Sequence, residues 1–169
     1  MKTLIATSAL ALMFAASPAY AQGQTASATY IDAEGQEIGE ATLAHTPNGV
    51  VVEIDVEGLP AEQWVAVHVH ENGECDPEGG FDSAGGHFNP ADVDHGYYSE
   101  TGPHAGDMPN QYVGADGILR SHLFNPFVTL GQGDADIMGR ALMIHGGADD
   151  YESQPSGDAG DRIACAVIE

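Results

Sequence analysis

Apolar and polar residues alternate with a period of two over much of the chain, the pattern of strands that turn one face to a core. Residues 26–31 and 38–46 alternate on either side of Asp32-Ala33-Glu34-Gly35, a turn-rich break. Pro47-Asn48-Gly49 is a hairpin signal, and Val50-Val51-Val52-Glu53-Ile54-Asp55-Val56 follows it directly. Gly58-Leu59-Pro60 interrupts the chain before residues 64–70, and residues 118–124, 140–145 and 162–168 read as further strands. Helical periodicity is scarce, and neither an internal repeat nor an interdomain linker stands out. Many short strands with Gly, Pro and Asn between them predict an all-β sandwich or barrel. Residues 71–111 and 146–161 break the pattern, being rich in Gly, Asp, Pro and Ser. Loops this long in a compact domain are usually functional or disordered, and the histidines of the first favour function.

The first residues are set apart from the fold. Lys2 precedes an apolar run over residues 4–16, and Pro18-Ala19-Tyr20-Ala21 places small residues where a signal peptidase reads them. This is the layout of a secretory signal cleaved after Ala21, which leaves residues 22–169 as one exported domain. The run is too short for a membrane span. In the oxidising compartment that export implies, the two cysteines, Cys75 and Cys165, read as a disulfide. Beyond Lys2 the only basic side chains are Arg120, Arg140 and Arg162, against 26 acidic residues. Such a surface argues against nucleic acid and anionic membrane as partners.

The candidate chemistry lies in the histidines. In Val65-Ala66-Val67-His68-Val69-His70 the valines share one face and His68 and His70 the other, so the imidazoles stand side by side on the outer face of a strand. Ala141-Leu142-Met143-Ile144-His145 repeats the logic, with Leu142 and Ile144 inward and His145 outward. The long loop adds His87, His95, His104 and Asp107, three imidazoles and a carboxylate that complete a tetrahedral zinc shell with no position left for water. His68, His70 and His145 form a second, nitrogen-only group, of the kind whose affinity order peaks at copper(II).

These motifs resemble the copper–zinc superoxide dismutase family in its bacterial exported form. The resemblance is carried by His68-Val69-His70, Gly85-Gly86-His87-Phe88-Asn89-Pro90, His95-Gly96, His104-Ala105-Gly106-Asp107, Gly139-Arg140-Ala141-Leu142-Met143-Ile144-His145 and Gly160-Asp161-Arg162-Ile163-Ala164-Cys165. It implies a Greek-key β-barrel of the immunoglobulin-like sandwich kind with two long functional loops. It implies one copper per subunit on His68, His70, His87 and His145, and one zinc on His87, His95, His104 and Asp107, with His87 bridging the two. Asp149 matches a carboxylate that links a copper ligand to a zinc ligand, and Arg162 matches the family's substrate-guiding arginine. Cys75 and Cys165 match a disulfide that tethers the metal loop to the last strand. The implied reaction is dismutation of superoxide to dioxygen and hydrogen peroxide, with copper cycling between two oxidation states and His87 carrying a proton. His45 and His122 have no role in this scheme and read as ordinary strand residues.

The chain departs from the family in charge. Relatives commonly draw the superoxide anion in with lysines, whereas residues 22–169 contain none and residues 146–161 hold five acids and no base. A periplasmic or secreted metal-binding or copper-delivery protein on the same scaffold is the alternative reading. The complete ligand set and Arg162 argue against it. Family members occur as monomers and as homodimers, so the resemblance leaves the assembly open.

Overall fold

The computed structural model describes residues 23–169; the expected signal segment lies outside the described residues. Strands β1 (Thr25–Asp32), β2 (Glu37–Thr46) and β3 (Gly49–Val56) form an antiparallel meander. Then come β4 (Trp64–Val65), β5 (Val67–His70), β6 (Gln111–Tyr112), β7 (Leu119–Asn125), β8 (Ala141–His145) and β9 (Arg162–Val167). The architecture is all-β, as the alternation predicts. Boundaries differ from the expected ones by a residue or so, except that the expected strand over 64–70 is divided at Ala66. Ala66 leaves the ladder because its N–H donates to Gly147 and its carbonyl accepts from His145 instead.

Seven strands make one curled antiparallel sheet in the order β5-β8-β9-β1-β2-β3-β7, and β4 pairs with β6 in a small second sheet. The small sheet lies beside the open edge: the Ser121 hydroxyl of β7 donates to Gln111 of β6, and Trp64 packs edge-on against Tyr112 at 5.3 Å. The connections from β3 by way of β4 to β5, and from β7 to β8, each cross from one side of the large sheet to the other, the Greek-key device for closing a barrel. The β2–β3 hairpin needs glycine at position 49, where φ is +144° and a Cβ would lie 2.3 Å from the Asn125 carbonyl oxygen.

The interior holds the inward-facing set, including Ala28, Tyr30, Leu43, Val52, Ile54, Val67, Val69, Leu142 and Ile144. Burying each large aliphatic side chain of this set stabilises the fold by roughly 1.5–3 kcal/mol. A second, smaller core lies on the other face of the sheet, where Phe81 and Ala84 cover Ala141, Met143 and Cys165. Phe81 and Ala84 belong to a turn of 3₁₀-helix at Asp82–Ala84 that the alternation did not reveal. Cys75 and Cys165 are bonded through sulfur beside it, fastening the long loop to β9 across 90 residues of sequence.

Candidate metal centre

The site is built on the outer face of β5 and β8, where the sequence pattern places His68, His70 and His145. That face is not open, however. Residues 71–110 fold back over it, leaving His68, His70 and His145 only 0%, 1% and 4% exposed. The loop docks by strand-like pairing along the free edge of β5. Val69 donates to Gly106 and accepts from Phe88, which sets His87 opposite His70 and Asp107 opposite His68. The loop thus brings its own histidine and carboxylate to the two histidines already held by the sheet.

Two groups result, His68, His70, His87 and His145, and His87, His95, His104 and Asp107, and within each the candidate ligand atoms lie within 4.8 Å of one another. All seven residues are buried. Only His87 belongs to both groups. His45 and His122 lie elsewhere, on β2 and β7, as expected.

Hydrogen bonds on the outward nitrogens fix what the inward ones offer. His68 Nε2 donates to Asp149 Oδ2 at 2.8 Å, which leaves a lone pair on Nδ1. His70 Nδ1 donates to the Gly85 carbonyl at 3.0 Å and His145 Nδ1 to the Gly160 carbonyl at 3.3 Å. Their Nε2 atoms therefore face each other at 3.3 Å with lone pairs on both, an arrangement that a cation between them satisfies. His68 Nδ1, His87 Nε2 and His104 Nδ1 are buried with no hydrogen-bond partner in the protein. Orphaned buried nitrogens are costly and rare, so their convergence fits metal ligation. In the other group Asp107 gathers His87 Nδ1 at 2.9 Å, His95 Nδ1 at 3.1 Å and His104 Nδ1 at 3.4 Å.

Burial holds the imidazoles of the first group neutral. Desolvation, reinforced by the neighbouring His87, pushes His68 down to about 3 and His70 down to about 2. Desolvation likewise lowers His145, to about 4. Neutral imidazole is the form that ligates a metal. At His95 burial pulls downward, but hydrogen bonds to Asp107 and Asp149 override it and raise the ring to about 9. Burial alone would raise the Asp107 carboxyl, yet the imidazoles of His104, His87 and His95 around it hold it far below the usual carboxylate range.

Asp149 joins the two groups from behind, accepting from His68 Nε2 through Oδ2 and from His95 Nε2 at 2.9 Å through Oδ1. Arg162 lies at the start of β9 beside a cavity of about 430 Å³ that His70, His87 and His145 also line. Its guanidinium is pinned by donating to the Phe81 carbonyl at 2.6 Å and the Gly85 carbonyl at 2.7 Å. Several contributors could not be found by sequence reasoning. The carbonyls of Phe81, Gly85 and Gly160 act through the main chain, which carries no residue signal. Asn110 holds Asp149 by donating to its carbonyl and accepting from its N–H, both at 2.8 Å.

A Greek-key β-barrel whose loops bring two buried, histidine-rich groups together on one shared imidazole defines a fold with a candidate site for two metal ions. The comparisons narrow that class. The family model for copper/zinc superoxide dismutase matches residues 37–168. A copper–zinc superoxide dismutase of Aquifex aeolicus is 47% identical over 156 residues, which cover 90% of this chain and 91% of that protein. Its counterpart in Caulobacter vibrioides is 37% identical over 80% of each chain. The crystal structure of a superoxide dismutase-like protein from Bacillus subtilis superposes with a TM-score of 0.79 at 35% identity, covering 83% of this chain and 95% of that one. The copper/zinc superoxide dismutase of Brucella abortus superposes with a TM-score of 0.72 at 30% identity, over 86% of this chain and all of that one. The chain belongs to the copper/zinc superoxide dismutase family, whose substrate is superoxide.

Proposed function

We infer that this chain dismutates superoxide at one copper held by His68, His70, His87 and His145, beside one zinc held by His87, His95, His104 and Asp107. The observation that carries this reading is the convergence of orphaned or lone-pair nitrogens in two groups that share His87. Copper supplies one-electron exchange with superoxide when bound, and the d¹⁰ zinc ion supplies charge and geometry without redox chemistry. The all-nitrogen group suits copper(II), and the three imidazoles with a carboxylate suit tetrahedral zinc.

The chain's own residues then do four things. Arg162, held by two carbonyls, offers its remaining N–H groups and its charge to an anion entering the cavity. His87 Nε2 is where a proton is held between the two half-reactions and passed to the reduced product. Two superoxide anions and two protons give one dioxygen and one hydrogen peroxide. Asp149 fixes the ring planes of His68 and His95, so neither ligand turns when the other is displaced. The loop over β5 excludes water from the buried ligands. Export to the periplasm or beyond is the location we infer, supported by the Cys75–Cys165 bond, which belongs to an oxidising compartment.

The test is stepwise metal loading of the metal-free protein followed by native mass spectrometry. Uptake of one zinc and then one copper per chain is expected, with the copper lost on His68→Ala and the zinc retained. Two zinc ions displacing copper, or copper retained in His68→Ala, contradicts the assignment.

A further inference from the structure

Residues 71–110 and 146–161 meet along a seam that passes through His95, and one side chain closes that seam from the opposite loop. The amide of Gln154 addresses both main-chain groups of His95: Oε1 accepts from the His95 N–H at 2.9 Å, and Nε2 donates to the His95 carbonyl at 2.9 Å. Two antiparallel strands exchange bonds in this way at a paired residue; here a side chain 59 residues distant supplies both. The same Nε2 also donates to the Glu152 carbonyl at 3.1 Å, which ties the clamp to its own loop. The backbones touch around it. Tyr98 donates to the Tyr151 carbonyl at 3.0 Å, and at Gly96 a Cβ would lie 2.0 Å from that carbonyl oxygen. His95 and Asp149 are thus each gripped through the main chain by an amide of the opposite loop, and joined to each other at 2.9 Å.

We propose that Gln154 is a positioning residue for the dinuclear centre, fixing the main chain of His95 so that its ring meets Asp107 on one side and Asp149 on the other. The proposal rests on the metal assignment above. A connected path of contacts runs from Gln154 to His95, to Asp149 and on to His68, and so reaches a ligand of each metal group. Gln154 is itself solvent-exposed, so little buried apolar surface depends on it and its effect is on geometry. It also lines the site cavity with Pro155 and Ser156, so a loosened clamp moves the cavity wall together with the ligand.

The test uses the fully loaded protein and two variants. Gln154→Met keeps the length of the side chain without the amide, and Gln154→Glu keeps the acceptor and loses the donor. Three properties are measured: the rate of zinc transfer to a chelator, the copper(II) EPR spectrum, and the visible bands of protein carrying cobalt(II) in the zinc group. Gln154→Met is expected to release zinc about tenfold faster, the worth of one net hydrogen bond. Its cobalt bands and copper signal shift, while its melting temperature stays within a few degrees of wild type; Gln154→Glu, which sets a carboxylate oxygen against the His95 and Glu152 carbonyls, shifts them at least as far. Wild-type spectra and zinc release in Gln154→Met, whatever its melting temperature, overturn the proposal. Wild-type protein that takes up neither zinc nor cobalt contradicts the metal assignment itself, and the proposal falls with it.

Discussion

Gly157→Ala tests the contact between the two loops with a single methyl group. Gly157 has φ +71°, and a Cβ built there would lie 1.8 Å from Asp149 Oδ1 and 2.6 Å from His95 Nε2. The first cost is conformational, about 1–2 kcal/mol for an L side chain in the left-handed region. The second follows because Asp149 has nowhere to go. Its Oδ1 accepts from His95 and from the Tyr151 N–H, its Oδ2 accepts from His68, and its main chain is held by Asn110. Relieving the clash sacrifices at least one hydrogen bond to a charged group, worth roughly 1.5–3 kcal/mol. The combined loss is about 2.5–5 kcal/mol, a fall in melting temperature of roughly 5–20 °C for a domain of this size. Gly133→Ala is the control: φ is +73° there and nothing lies within 4 Å, so only the conformational cost applies. Calorimetry of the loaded proteins compares the two. Equal, small losses in Gly157→Ala and Gly133→Ala would refute the packing of Asp149 against His95.

Cys75→Ser opens a loop of 90 residues' separation and should cost roughly 4–5 kcal/mol on the chain-entropy argument, read as the unfolding midpoint in denaturant; an unchanged midpoint refutes it. For the metal-free protein, burial places His68 at about 3 and His145 at about 4, below the unfolded value near 6.5. The unfolded chain therefore binds more protons between those limits. The contribution is complete above roughly pH 6.5 and is lost as pH falls toward 3, so a melting temperature that rises on acidification through this range contradicts it. Added salt screens the diffuse acidic repulsion more than the short-range pull of Arg162, given a Debye length of about 10 Å at 0.1 M. Turnover should stay flat or rise with ionic strength, and Arg162→Ala should be slower at every salt concentration; a steep fall in the wild type contradicts this.

The parts of the structure that were legible in the chain are those with local periodicity. Alternation located the main strands and put His68 and His70 on one face and Val67 and Val69 on the other. The hairpin signalled by Pro47-Asn48-Gly49 is present, with Pro47-Asn48 as the turn and Gly49 paired to Thr46. Burial of the histidine face was not legible, because it arises when residues 71–110 pair with the edge of β5, and loop segments carry no repeating pattern. The division at Ala66 has the same origin, since its bonding partners, Gly147 and His145, come from the far end of the chain. The ligand types and their spacing pointed to the two metal groups. The groups that aim them did not show: main-chain carbonyls belong to every residue, and amides such as Asn110 and Gln154 look like ordinary polar loop positions until the loops are brought together.

The most direct measurement of the central claim is superoxide decay followed by pulse radiolysis, with purified protein carrying one copper and one zinc. The decay rate should increase in proportion to bound copper, with zinc alone giving none of it. His68→Ala, still carrying zinc, should return the decay to the uncatalysed rate. Copper-loaded wild-type protein that leaves the decay uncatalysed, or a His68→Ala variant as fast as wild type, would contradict dismutation at this centre.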